Sequence, residues 1–220
     1  MTWFKFLAPG AAGPFSGYRW PVPCGRPGGW VLADGPLDPC RSGLHLCRES
    51  DLPFWLLDEL YTVDVDGPVE EHDTFVLAHR ARLAGRVEAW AREEAYLFAC
   101  DCAWRVRDMV VAALRRADRD VLAARLEGCA SVEELAQVSR AATQDPAAGG
   151  ARLAGYALDA ATYAKETTSG SGWAAASATT GFIAATVARV AAREGDGLAA
   201  AAAERAHQAQ WIVDAVLAGL

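Results

Sequence analysis

The chain opens on a short apolar run, Thr2–Leu7, that predicts a strand. A Pro- and Gly-rich stretch follows through Asp38, in which Tyr18, Trp20 and Trp30 are placed to anchor otherwise irregular loops, since each ring covers much apolar area with few rotatable bonds. Gly43–Cys47 predicts a second strand. Ser50 or Asp51 then caps a brief helix with Pro53 in its first turn, where the missing N–H costs nothing. Leu60–Asp66 alternates as a strand, Asp66–Gly67 has the composition of a hairpin turn, and Asp73–Leu83 predicts one or two return strands.

From Arg86 the period lengthens, and through Ala117 no Pro or Gly intervenes, which predicts a helix of about 48 Å at 1.5 Å per residue. Trp90, Leu97, Trp104 and Val111 recur along it at seven-residue spacing, widened by Phe98, Cys102, Met109 and Val110 into a broad apolar stripe. The capping box Ser131-Val-Glu-Glu134 starts a helix to about Thr143. Asp145-Pro146 starts another to about Lys165, and Ser171 or Gly172 to Arg193 and Gly197 to Leu217 give two more across the Gly195-Asp-Gly197 breaker. The expected fold is α+β: a loop-rich, antiparallel β domain over residues 1–85, then an Ala-rich bundle of five or six helices over 86–220.

Composition sharpens that division, because nine of the ten prolines precede residue 70 while 39 of the 47 alanines follow residue 90. At 52% hydrophobic, the 220 residues can bury a core. The net charge of −7 argues against a phosphate-backbone binder and so against nucleic acid. Nineteen Arg against two Lys, with so many Ala, is the usage of a GC-rich gene, which points to a high-GC bacterium of the actinobacterial kind. MTWFKFLAPG lacks a secretory pattern and no stretch reads as a membrane span, so a cytoplasmic protein is expected. The six Cys then read as thiols or ligands.

Cys24, Cys40, His45 and Cys47 are four zinc-competent ligands in a loop-rich segment, but the spacing lacks a short C-x2-C knuckle. They are weighed as a weak structural-zinc set against small buried residues, and no cofactor is expected. Cys100 and Cys102, two apart on a helix, point away from each other and read as separate buried thiols; Cys129 is expected to be the exposed one. Glu94, Asp101 and Asp108 form an acidic line at seven-residue spacing, with Arg105 and Arg152 as expected partners. Glu204-x-x-His207 is half of a di-metal pattern without its second half. Tyr156, Asp159 and Tyr163 share a helical face, and no G-x-S-x-G elbow, Walker loop or G-x-G-x-x-G turn occurs.

Gly43-Leu-His-Leu-Cys-Arg48, with Asp51-Leu52, Trp55-Leu56 and the strand to Gly67, resembles bacterial and phage proteins carrying a G-[YL]-H-L-C-R segment. Leu97–Ala103 and Glu204–Trp211 resemble the helical domain of proteins inferred to be immunity partners of polymorphic toxins. The resemblance implies a partner-neutralising role and assigns no residue a task.

Two functions follow as expectations. The first is an acidic interaction protein, immunity-like, that binds a protein partner and is steered to a basic one by its charge. The second is a small-molecule enzyme or binder with a pocket between the aromatic loops and the bundle. There His45, Asp101, Asp108 and Tyr163 are the candidate catalytic residues, and Trp20, Trp55 and Trp104 the candidate ligand-binding rings. The small-residue helix faces make a homodimer a further possible assembly.

Overall fold

The computed structural model describes residues 2–39, 41–145, 149–169 and 173–220. The architecture is α+β, and the chain divides into two compact units, Met1–Glu94 with Ala209–Leu220, and Ala95–Gln208.

The first unit holds two antiparallel sheets. One runs in the order β1 (Trp3–Leu7), β4 (Glu59–Val65), β7 (Arg80–Arg86), β2 (Val31–Leu32); the other runs β3 (Leu44–Leu46), β6 (Val76–Ala78), β5 (Val69–Glu71). Phe4 and Cys47 exchange both backbone hydrogen bonds (2.9 and 2.8 Å), which ties β1 to the end of β3, and the two sheets enclose one core that includes Leu7, Trp20, Leu46, Val63, Val76 and Leu83.

The hairpin differs from expectation. Val65 pairs with Ala81 and Val69 with Ala78, so Asp66–Pro68 is a bend within one long strand pair, and the true turn is His72–Phe75, closed by His72 N–H to Phe75 C=O at 2.9 Å. Gly67, at φ +96°, and Pro68, which has no N–H to donate, let three residues oppose two without breaking the pair.

A 3-10 helix spans Glu49–Phe54, starting one residue ahead of the expected caps. The Asp51 carboxylate reaches back to the Arg48 N–H at 2.9 Å and also accepts the Arg48 guanidinium. A second carboxylate, Glu59, is buried and accepts the N–H groups of Gly10 (3.0 Å) and Ala11 (2.9 Å) and the Tyr61 hydroxyl (3.0 Å). It pins a loop in which buried Ala11 sits at φ 55°, a left-handed conformation an alanine adopts only under such restraint. Burial raises the Glu59 pKa, and the three donors outweigh it, so the group ends below its ordinary value.

The second unit is built of helices, while the start of the first helix and the chain from Ala209 on belong to the first unit. α1 spans Arg92–Arg116, not Arg86–Ala117, because the residues before it are spent on the sheet: Arg86 pairs with Tyr61 and the Val87 N–H bonds Leu60 C=O. Trp90 therefore belongs to the β unit, where its Nε1–H bonds Leu57 C=O at 2.8 Å and its ring meets Phe6 edge-on. The buried stripe of α1 runs through Phe98, Cys102, Val106, Val110 and Leu114, whereas Leu97 is half-exposed.

Asp118, at φ 57°, ends α1, and a further helix, α2 (Asp120–Glu127), precedes α3 (Val132–Gln144). Ser131 caps α3 as expected, its Oγ accepting the Glu134 N–H at 3.1 Å. α4 (Ala151–Ser169) starts after Gly149, which sits at φ +61°, rather than at Asp145; residues 146–148 lie outside the described ones. α5 (Trp173–Glu194) and α6 (Gly197–Ile212) follow, and α6 widens into a π-helical turn over Val213–Leu217. The expected α5 starts, Ser171 and Gly172, lie outside the described residues. α3 packs on α4 and α4 on α5. The buried Ala154, Ala157, Ala160, Ala161 and Ala164 give α4 a face without bulky side chains, which lets its neighbours approach closely.

Candidate functional site

In the β unit, rings gather beside the His72–Phe75 turn. Phe75 lies 4.6 Å from the His72 ring, stacked on it, and 4.9 Å from His45; Trp55 meets Phe75 edge-on at 5.9 Å and lies 6.2 Å from His45. Trp55 is held by its Nε1–H bond to Thr74 C=O, 2.6 Å, and Phe15, 88% exposed, stands edge-on to it at 6.5 Å. Phe54, 44% exposed, is next in sequence to Trp55.

Carboxylates accompany these rings. Glu70 pairs with His72 at 3.1 Å, Glu71 with Arg48 at 3.2 Å, and Glu49 and Asp73 are exposed. The segments 44–55 and 69–75 carry one arginine against five carboxylates, a net of −4 out of the chain's −7. Burial, and then the Lys5 ammonium, hold the His45 imidazole below its usual range.

Lys5 was not among the expected site residues. Its Nζ donates to His45 C=O at 2.6 Å and lies 4.9 Å from the Trp20 ring, and burial lowers it to about 8. Trp20 thus packs in the core and serves the fold. Cys24 is exposed, while Cys47 is buried with its thiol pushed up to about 12, and Cys40 lies outside the described residues. Cys24, His45 and Cys47 do not gather, and no metal-competent group of three or more His, Cys, Asp or Glu occurs among the described residues. Cys129 is buried, its thiol bonding Arg125 C=O at 3.3 Å, so it is not the exposed thiol the sequence suggested.

The helical unit distributes its expected residues differently from the acidic line. Arg105 pairs in bidentate fashion with buried Glu204 of α6, both Glu204 oxygens lying 2.9 Å from the Arg105 Nε, and Gln208 braces that carboxylate at 3.3 Å while also bonding Ala184 C=O at 3.1 Å. Asp101 faces His207 Nε2 at 3.2 Å, both side chains partly exposed. The Glu204-x-x-His207 spacing therefore makes two links between α6 and α1. Asp108 pairs with its neighbour Arg107 (2.9 Å), whose guanidinium also lies 4.5 Å from the Trp104 ring. Tyr163 stacks on exposed Phe182 at 6.1 Å. Arg152 pairs with Glu194 at 3.1 Å, and both it and Arg193 donate to the Tyr156 hydroxyl at 2.9 Å.

A groove of about 330 Å³ lies in this unit over the Arg105–Glu204 pair, walled by Met109, Ala112, Ala191 and Ala203. Arg105 and Glu204 set opposite charges side by side along this groove, and Arg116 and Glu194 also line it. Among the described residues no helix is long and apolar enough to cross a membrane. Comparison with family models, curated proteins and solved structures finds no match to this chain.

Sequence reasoning named His45 and Trp55, which the fold brings together, and missed Phe15, Phe75 and His72 as their companions. A single Phe in a Pro- and Gly-rich loop carries no periodic signal, and Phe75 joins the cluster only because the turn falls at His72–Phe75.

Proposed function

We propose that the protein is a cytoplasmic interaction protein that binds a protein partner through the ring cluster of its β unit, in the manner of an immunity protein. One observation carries the reading: Phe15 stands almost fully in water beside half-buried Trp55, His45, Phe75 and His72. Large rings gathered at a surface are the composition of binding hot spots. The Leu97–Ala103 and Glu204–Trp211 resemblance supports a neutralising role. Photo-cross-linking tests it: a benzophenone amino acid replaces Phe15 in the protein expressed in its host, and irradiation is expected to yield one dominant protein adduct. Irradiated samples without a protein adduct would contradict the reading.

A second reading, a small-molecule binder, is favoured by the groove over Arg105 and Glu204, whose volume suits a small ligand. Filling it with Ala203→Leu would then abolish a ligand-induced thermal shift while leaving the Phe15 adduct unchanged.

A further inference from the structure

We infer that the ring cluster is a docking surface for a basic polypeptide segment, one that sets arginine or lysine side chains on either side of an apolar anchor. The inference rests on the interaction reading and names the chemistry of its partner.

The rings supply the centre. Phe15, Trp55 and Phe75 meet edge to face, leaving ring faces open to solvent at Phe15, and ring faces attract guanidinium and ammonium groups. Carboxylates supply the surround. Glu49 lies on the 3-10 helix, Glu70 and Glu71 on β5, and Asp73 on the turn, and all four are exposed at least in part. These two segments are physically one site, because the Trp55 indole bonds Thr74 C=O at 2.6 Å and the Arg48 guanidinium bonds Glu71 and the His72 carbonyl.

Arg48, the arginine counted in these two segments, and Lys5 of β1 next to them are both engaged. Arg48 is taken by Asp51 and Glu71, and Lys5 is turned inward to His45 C=O and the Trp20 ring. The net −4 of the surface is therefore presented outward, and a basic segment gains steering and contact from it while an acidic one is repelled. An apolar anchor between the basic residues would cover Phe15, which a purely electrostatic partner would leave wet.

The test uses the full chain and three short synthetic peptides that share one Leu and Phe anchor pattern and carry Arg, Gln or Glu at the flanking positions. Isothermal titration is expected to show the Arg peptide binding at least about tenfold more tightly than the Gln peptide, with the advantage shrinking as salt rises through the Debye regime. Glu49→Lys with Asp73→Lys, which leaves the Arg48 and His72 pairs intact, is expected to erase that advantage, and Phe15→Ser to weaken all binding by about tenfold. Equal affinity for the Arg and Glu peptides, or no effect of the Glu49→Lys, Asp73→Lys pair, would overturn the basic-segment inference. So would a Phe15 adduct that joins two copies of this chain or maps to an acidic segment, although the interaction reading would survive it. The absence of any protein adduct overturns that reading instead.

Discussion

The two units solve the same problem, where to put polar groups, in opposite ways. In the β unit the buried carboxylate Glu59 accepts the N–H groups of Gly10 and Ala11 and so fixes a loop that has no regular secondary structure of its own. In the helical unit the backbone is already satisfied, and the buried carboxylate Glu204 instead pairs with a guanidinium from another helix. The difference extends to apolar residues: alanines fill the helical core, while rings fill the β unit and reach its surface. The rings that reach the surface of the β unit are where the binding surface is proposed.

The sharpest way to break this comparison is at Glu204. Replacing it with Ala leaves Arg105, about a third exposed, without its carboxylate partner and is expected to cost about 2–3 kcal/mol in urea unfolding, with Arg105→Met and Glu204→Leu together recovering most of it. A loss under about 1 kcal/mol would show that the pair holds nothing.

In the β unit, Glu59→Ala strands the N–H groups of Gly10 and Ala11 and is expected to cost about 2 kcal/mol. Because the folded Glu59 lies below its ordinary 4.5, its contribution is present above 4.5 and lost as pH falls through the lowered folded value. Glu59→Gln should flatten that acid limb, and an unchanged limb would remove the pinning role.

Lys5 gives a change of opposite sign. Its amine titrates near 8 in the fold against 10.5 when free, so the fold favours the neutral form and wild-type stability rises as pH climbs from about 8 to 10.5. Lys5→Met is expected to stabilise the protein by about 1 kcal/mol at pH 7, less than the shift alone implies because His45 C=O loses its donor, and the gain should vanish by pH 10.5. Thermal scans across that range check it, and destabilisation at pH 7 would contradict it.

Smaller still is the Asp101–His207 pair, whose partners are each about a third or more exposed. Asp101→Asn is expected to change stability by less than about 0.5 kcal/mol, and a loss above about 2 kcal/mol would make this pair as structural as Glu204.

The coarse fold was legible because prolines and alanines separate along the chain, and because Trp3–Leu7, Leu44–Leu46 and the Ser131 cap carry local signals that tertiary structure respects. β2 was not legible, since two residues inside a Pro- and Gly-rich loop become a strand only through β7. Nor was α2, because the break before it rests on Asp118 in a left-handed conformation, with no Gly or Pro to announce it. At the candidate site His45 and Trp55 could be named from residue type. The partnership of Arg105 with Glu204, 99 residues apart, could not, as charge spacing along one helix says nothing of a second helix.

Phe15 and Phe182 offer one exposed ring in each unit, 88% and 62% accessible, and replacing either with Ser is expected to leave stability within about 0.5 kcal/mol. The most direct measurement is native mass spectrometry of the wild type and these two variants purified from the host under the same conditions. The account predicts a protein adduct on the wild type and on Phe182→Ser that is lost from Phe15→Ser. Loss from Phe182→Ser with retention on Phe15→Ser would place the binding surface on the helices and contradict it.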